Sequence, residues 1–223
     1  MPAKPTRARP QRSTRVSSST KEVAVDTGTR RIFHLTHVKN LEAILTQKQI
    51  LSDAAGANPL IDISSPDNRE LRRELKAGAA SVASYVPFFL APDALLWEGM
   101  RSGVANYRLA NNAERIPASE FVMLVGSVSG AGSDSMITDG DAADPATQFS
   151  SPDQLGGRMP RRFFEEEDSI RSAEFLVPGA FPLTSITLIG VANDKVRAQV
   201  RAMVSAHGFT HKVSVYPPWF QSS

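Results

Sequence analysis

The stretch Arg171-Ser172-Ala173-Glu174-Phe175-Leu176-Val177-Pro178 decides how the chain is read. Its apolar run predicts a short strand, and a single carboxylate, Glu174, interrupts it. Such a strand lies against a core, where a carboxylate is costly unless it is paired, hydrogen-bonded or facing a cleft. On this stretch alone Glu174 either faces solvent from an edge strand, pairs with Arg171, or serves a site.

On the N-terminal side, Arg158, Arg161 and Arg162 precede Phe163, Phe164 and the acids Glu165, Glu166, Glu167 and Asp168. These acids are adjacent rather than spaced to face one point, so they read as a solvated helix start and not as a magnesium site. Residues 137–143 are rich in turn formers, and little periodicity follows as far as about Gly157; a connection of this kind in a compact domain is usually functional or mobile. Residues 121–125 form a buried strand, and residues 84–90 are the densest apolar run, placed at an edge or bulge by Pro87. Pro92 opens a helix through Leu95, Leu96 and Met100. Residues 31–36 alternate as a half-buried strand, which puts His34 and Thr36 on one face. Asn40 is positioned to cap a helix with Leu41, Ile44 and Leu45 as its apolar stripe.

Ser65-Pro66-Asp67 supplies another helix start: a capping hydroxyl, proline in the first turn and an acid beside it. That helix carries Arg69, Arg72 and Arg73, which either pair with Glu70 and Glu74 in solvent or include one that clamps a phosphate. Beyond Glu174, residues 186–191 form a strand. Asn193 caps a helix bearing Val196, Val200, Met203 and Val204, Gly208 stops it, and residues 211–216 form a last strand.

The 223 residues suit one substantial core, with 41% hydrophobic and 22% charged residues. A net charge of +2 is too small to imply nucleic acid by itself. Cysteine is absent, which excludes disulfides, thiolate zinc sites and a thiol nucleophile and suits a cytoplasmic location. No apolar run has the roughly 20 residues that would span a bilayer. Residues 1–29 are basic, with proline, serine and threonine between the charges, and read as a disordered tail before one domain at 30–223. The elements amount to an α+β domain of about seven strands and three or four helices without βαβ alternation.

Several chemistries fail on inspection. A glycine-rich phosphate loop, a dinucleotide fingerprint and a nucleophile elbow are all missing. His34 and His37 diverge along a strand, and Gly208 separates His207 from His211, so no metal is expected. What remains is a polar strand face with His34 and Thr36, an arginine-bearing helix, and Glu174. That set suits cleavage of an N-glycosidic bond, where a carboxylate stabilises an oxocarbenium-like transition state and an arginine holds a pyrophosphate.

Blocks in one order carry a family resemblance: Ile32-Phe33-His34-Leu35-Thr36-His37 with Asn40-Leu41; Tyr85-Val86-Pro87-Phe88-Phe89; Ile137-Thr138-Asp139-Gly140 with Ala142; and Ala173-Glu174-Phe175-Leu176-Val177. In these the chain resembles the DarT-type ADP-ribosyltransferase toxins, which transfer ADP-ribose from NAD⁺ to a base in single-stranded DNA. The resemblance implies a split antiparallel β-sandwich core with flanking helices. It also implies Glu174 and Arg69 as catalytic residues, with Arg72 in reserve for the arginine, and His34, Thr36, Asn40, Arg69 and Tyr85 as NAD⁺ contacts. Thr138, Asp139, Arg158, Arg161 and Arg162 would face the nucleic acid, and an antitoxin with ADP-ribosyl-hydrolase activity would be the partner. A single-stranded substrate fits, because a base inside a duplex must first be flipped out. The segment between Asp141 and Glu174 is shorter than in the family and lacks its tryptophan-bearing helix, so the acceptor base stays open. So do transfer to RNA or protein and, from another class, a non-catalytic nucleic-acid-binding module.

Overall fold

The computed structural model describes residues 29–152 and 167–222. Its strands are β1 (Arg31–His37), β2 (Gln49–Leu51), β3 (Lys76–Ala77), β4 (Ala80–Ser81), β5 (Tyr85–Phe89), β6 (Phe121–Ser127), β7 (Met136–Thr138), β8 (Phe149–Ser150), β9 (Glu174–Pro178), β10 (Ala180–Pro182), β11 (Leu188–Val191) and β12 (Val213–Val215). The α-helices are α1 (Leu41–Gln47), α2 (Pro66–Glu74), α3 (Leu95–Arg101), α4 (Glu167–Ser172) and α5 (Asp194–Ala206). The main sheet runs β12-β11-β6-β1-β5-β9-β7-β8, and two-stranded ribbons β2/β10 and β3/β4 flank it. The α+β expectation holds, with every pairing of the main sheet antiparallel except β11 with β12. The predicted last strand is shorter than residues 211–216, and α3 starts at Leu95 rather than Pro92.

Strand periodicity divides the interior in two. On β6, Val122 and Leu124 enter one apolar cluster with Ile32, α1 and α5, while Phe121, Met123 and Val125 enter the other with Trp97 and Phe220. Buried on both faces, β6 needs the near-continuous apolar run its sequence shows. Glycine at 190 makes room for the second cluster: a Cβ there would lie 2.6 Å from Cζ3 of Trp219. The Trp219 ring stacks on Tyr216 at 4.3 Å and meets Phe33 edge-on.

The sheet is continuous in name but opens in the middle. β1 pairs with β6 along its whole length, from Arg31–Ser127 to His37–Phe121, yet meets β5 at the single pair Phe33–Phe89. On its other side β5 pairs fully with β9. Pro87 is therefore on an interior strand, not at a sheet edge. The Pro87 carbonyl turns toward β1, where His34 Nδ1 lies 2.9 Å away. The N–H that proline lacks would point the same way, into the opening, so no ladder bond to β9 is lost.

Candidate active site

Where β1 and β5 part, a cleft of about 710 Å³ opens, lined by His34, Thr36, Asn40, Arg69, Arg72 and Tyr85 among others. The strand period brings His34 and Thr36 into it, as the sequence predicts. α2 brings the arginines, its start fixed by Ser65 Oγ, which accepts from the Asn68 N–H at 3.1 Å.

Glu174 lies behind Arg72. It opens β9, an interior strand between β5 and β7, and only 6% of it is exposed, so it is neither a solvent-facing edge residue nor the partner of Arg171. Arg171 pairs instead with Asp93 and Glu98. Arg72 grips the Glu174 carboxylate with two nitrogens: Nη1 donates to Oε1 at 3.2 Å and to Oε2 at 3.0 Å, and Nη2 donates to Oε2 at 3.0 Å. The Ala142 N–H adds a bond to Oε1 at 3.1 Å. This carboxylate is held in one orientation by donors on two separate segments.

Arg72, and not Arg69, is thus the arginine at Glu174. Arg69 sits one helical step away, where Nη1 contacts Asp62 and donates to the Ser64 carbonyl at 2.8 Å. It lines the cleft with 31% of its side chain exposed, a position from which it can meet an anionic ligand.

The expected cap at Asn40 does not form, because its side chain is committed elsewhere. Nδ2 donates to the Ile61 carbonyl at 2.8 Å and to Thr36 Oγ1 at 3.2 Å, while Oδ1 accepts from the Ile61 N–H at 2.8 Å. Asn40 therefore pins the loop before α2 onto the end of β1 and shapes the cleft wall. The Tyr85 hydroxyl donates to the Ala77 carbonyl at 3.1 Å, which fixes its ring at the cleft.

Burial holds the His34 pKa below its ordinary 6.5, opposed by the bond to Pro87. A carbonyl only accepts, so Nδ1 carries the proton, and the neutral ring keeps Nε2 as an acceptor.

Two of the expected nucleic-acid contacts brace the backbone around Glu174 and the β7–β8 turn. Thr138 is fully buried and its hydroxyl oxygen accepts from the Glu174 N–H at 2.7 Å, so it supports the backbone of Glu174. Asp139 is half-buried, and its Oδ1 accepts from the Gln148 N–H at 2.8 Å, closing the turn between β7 and β8. Arg158, Arg161 and Arg162 lie outside the described residues, as does most of the basic segment.

Sequence reading missed Asp141 and Arg108. Asp141 is 5% exposed and forms an ion pair with Arg108. Burial first, then the charge of Glu174, push its carboxyl pKa up to about 6, against the opposing pull of Arg108. An Asp-Gly-Asp-Ala run hinted at a tight turn, but nothing local in the sequence points to Arg108. Among the described residues no group of three or more potential ligands could hold a metal ion, and no helix is long and apolar enough to cross a membrane.

The chain is similar to proteins of one family. The family model described as "ssDNA thymidine ADP-ribosyltransferase, DarT" matches residues 33–221. A DNA ADP-ribosyl transferase of Mycobacterium tuberculosis (strain ATCC 25618 / H37Rv) is 25% identical over 204 residues, covering 83% of this chain and 86% of the relative. Among solved structures, Thermus sp. 2.9 DarT in complex with ADP-ribosylated ssDNA superposes with a TM-score of 0.71 at 22% identity, covering 86% of this chain and 96% of that one. The same protein in complex with NAD⁺ gives 0.69 at 20% identity, with coverage of 86% and 98%. Thermosipho africanus DarTG in complex with ADP-ribose gives 0.61 at 20% identity, with this chain covering 51% of its length. With the family model spanning nearly the whole described fold, the chain belongs to the DarT family of ssDNA thymidine ADP-ribosyltransferases.

Proposed function

We propose that the protein transfers ADP-ribose from NAD⁺ to thymidine in single-stranded DNA, with Glu174 as the catalytic carboxylate and Arg72 as its arginine. The observation that carries this reading is the buried Glu174 carboxylate, oriented by Arg72 and Ala142 beside the cleft. NAD⁺ supplies an activated ribosyl carbon whose bond to nicotinamide breaks with build-up of positive charge. Glu174 opposes that charge in a low-dielectric setting, where a fixed carboxylate acts strongly. Arg72 keeps Glu174 aimed, and Glu174 also receives the proton that the acceptor base gives up.

The remaining polar groups divide the cosubstrate between them. His34 Nε2 and Thr36 Oγ1 accept or donate to ribose hydroxyls and the nicotinamide amide, and Arg69 meets the pyrophosphate. Asn40 and Tyr85 act by shaping the wall. The basic segment at residues 1–29 and the arginines at 158, 161 and 162 add non-sequence-specific attraction to DNA phosphates around one domain spanning 30–223. In the cytoplasm such an enzyme acts as a toxin, restrained by an antitoxin with ADP-ribosyl-hydrolase activity; the likeness to DarTG supports that pairing.

The test is incubation with labelled NAD⁺ and separate single-stranded DNA, RNA and protein acceptors. Label on thymidine-containing DNA, lost in Glu174→Gln, is expected. Label on RNA or protein alone, or none with salt-sensitive DNA binding intact, rejects the proposal.

A further inference from the structure

A second carboxylate–arginine pair stands against the first. Asp141 and Arg108 form an ion pair, and Asp141 lies close enough to feel the charge of Glu174, itself gripped by Arg72. Successive backbone N–H groups serve the two acids: Ala142 donates to Glu174 Oε1 at 3.1 Å, and Ala143 donates to Asp141 Oδ1 at 3.0 Å. The turn that makes this possible is closed by Thr147 Oγ1, which donates to the Asp141 carbonyl at 2.6 Å. The other carboxylate oxygen, the buried Asp141 Oδ2, faces Arg108.

Arg108 is itself braced. Its carbonyl accepts from the Ser65 N–H at 2.8 Å, so the loop that carries it is tied to the N-terminus of α2, the helix that carries Arg72. Among the described residues, the charged groups facing Asp141 are Arg108 from this loop, Glu174 from β9 and, across Glu174, Arg72 from α2. Two arginines thus balance two carboxylates in a largely buried cluster.

On the reading of Glu174 given above, we propose that Asp141 stores the proton that Glu174 removes from the acceptor base. In thymidine, N1 carries the deoxyribose and N3 the only ring N–H. As the ribosyl carbon's bond to nicotinamide breaks and nicotinamide leaves, the N3 lone pair forms the new carbon–nitrogen bond. The N3 proton goes to Glu174 and on to the Asp141 carboxylate, and solvent removes it after product leaves. No oxidant or further reactant is needed. Glu174 is thereby returned to the ionised form that opposes the ribosyl charge, so one carboxylate serves both needs. Asp141 touches no substrate; it is a positioning and proton-storing residue that acts through Glu174. A carboxyl titrating near 6 is matched to this task, being ionised and ready to accept at neutral pH.

The experiment compares wild type, Asp141→Asn, Arg108→Met and Glu174→Gln. Transfer to a thymidine oligonucleotide is followed from pH 5 to 9 under saturating NAD⁺, and the Asp141 carboxyl is titrated by carbon NMR without ligand. Wild type shows an acid limb near 6 in both readouts. Asp141→Asn loses that limb and on the order of 10²-fold in kcat, with KM for NAD⁺ little changed. Arg108→Met removes a charge that lowers the Asp141 pKa, so both limbs move to higher pH and activity recovers as pH is raised. A purely structural ion pair gives no such recovery. Asp141→Asn with the wild-type rate and limb, or Arg108→Met with an equal loss at every pH, overturns the proposal. If Glu174→Gln keeps wild-type transfer, the reading of the active site fails instead.

Discussion

Removing Arg72 tests how firmly the site is built into the fold. Its side chain is 15% exposed and that of Glu174 8%, so solvent can do little for either partner left alone. Arg72→Met deletes two charge-assisted nitrogens from the carboxylate and leaves Glu174 with the Ala142 N–H. Each such bond contributes about 1.5–3 kcal/mol, and breaking a buried ion pair from one side costs about 3–5 kcal/mol. Against a total of about 5–15 kcal/mol for a domain, the variant stays folded but with a clearly lower urea midpoint. Glu174→Gln is milder, because the amide oxygen still accepts from Arg72 or Ala142; about 1–2 kcal/mol is expected. The double variant has neither charge, so it loses less than the two singles together, by about 2 kcal/mol. Urea unfolding followed by circular dichroism, with unchanged slope, measures all three. An Arg72→Met variant within about 1 kcal/mol of wild type, or strict additivity in the cycle, refutes the buried pair.

Other outcomes follow from the same structure. Asn40→Ala releases both bonds to Ile61, so KM for NAD⁺ should rise by about tenfold with kcat less affected; initial-rate kinetics check it. Gly190→Ala drives a methyl against Trp219 and should cost about 1–3 kcal/mol, read as a lower melting temperature with activity intact below it. The folded-state pKa of His34 is depressed, so the unfolded chain binds that proton more readily and stability is lost as pH falls through 6.5. Asp141, raised to about 6, has the opposite sign and contributes stability as pH falls through 6. His34→Gln should therefore gain relative to wild type in unfolding titrations from pH 7 to 5, and Asp141→Asn should lose.

The strand alternation was legible because it is local: two-residue periodicity alone places His34 and Thr36 together, and a capping serine with proline after it fixes α2. Glu174 was legible as an anomaly on an apolar strand, and the family blocks gave it a role. The choice between Arg69 and Arg72 was not legible, since both lie on neighbouring positions of one helix and only the placement of β9 distinguishes them. Asn40 was read as a cap because asparagine there usually is one; a loop from elsewhere in the chain outcompeted the helix end for its side chain. Thr138 lay in a turn-rich segment that suggested exposure, yet pairing of β7 with β9 buries it. Asp141 and Arg108 meet only through tertiary structure, and a lone arginine in an irregular loop leaves no pattern to find.

In the proposed reaction Glu174, aimed by Arg72, drives transfer of ADP-ribose to thymidine in single-stranded DNA. Mass spectrometry of defined oligonucleotides after incubation with NAD⁺ tests it most directly, with wild type and Glu174→Gln side by side. The expected result is one ADP-ribosyl adduct per modified thymidine with wild type, none on an oligonucleotide without thymidine, and none with the variant. An adduct on another base, or an adduct that Glu174→Gln still makes at the wild-type rate, contradicts it.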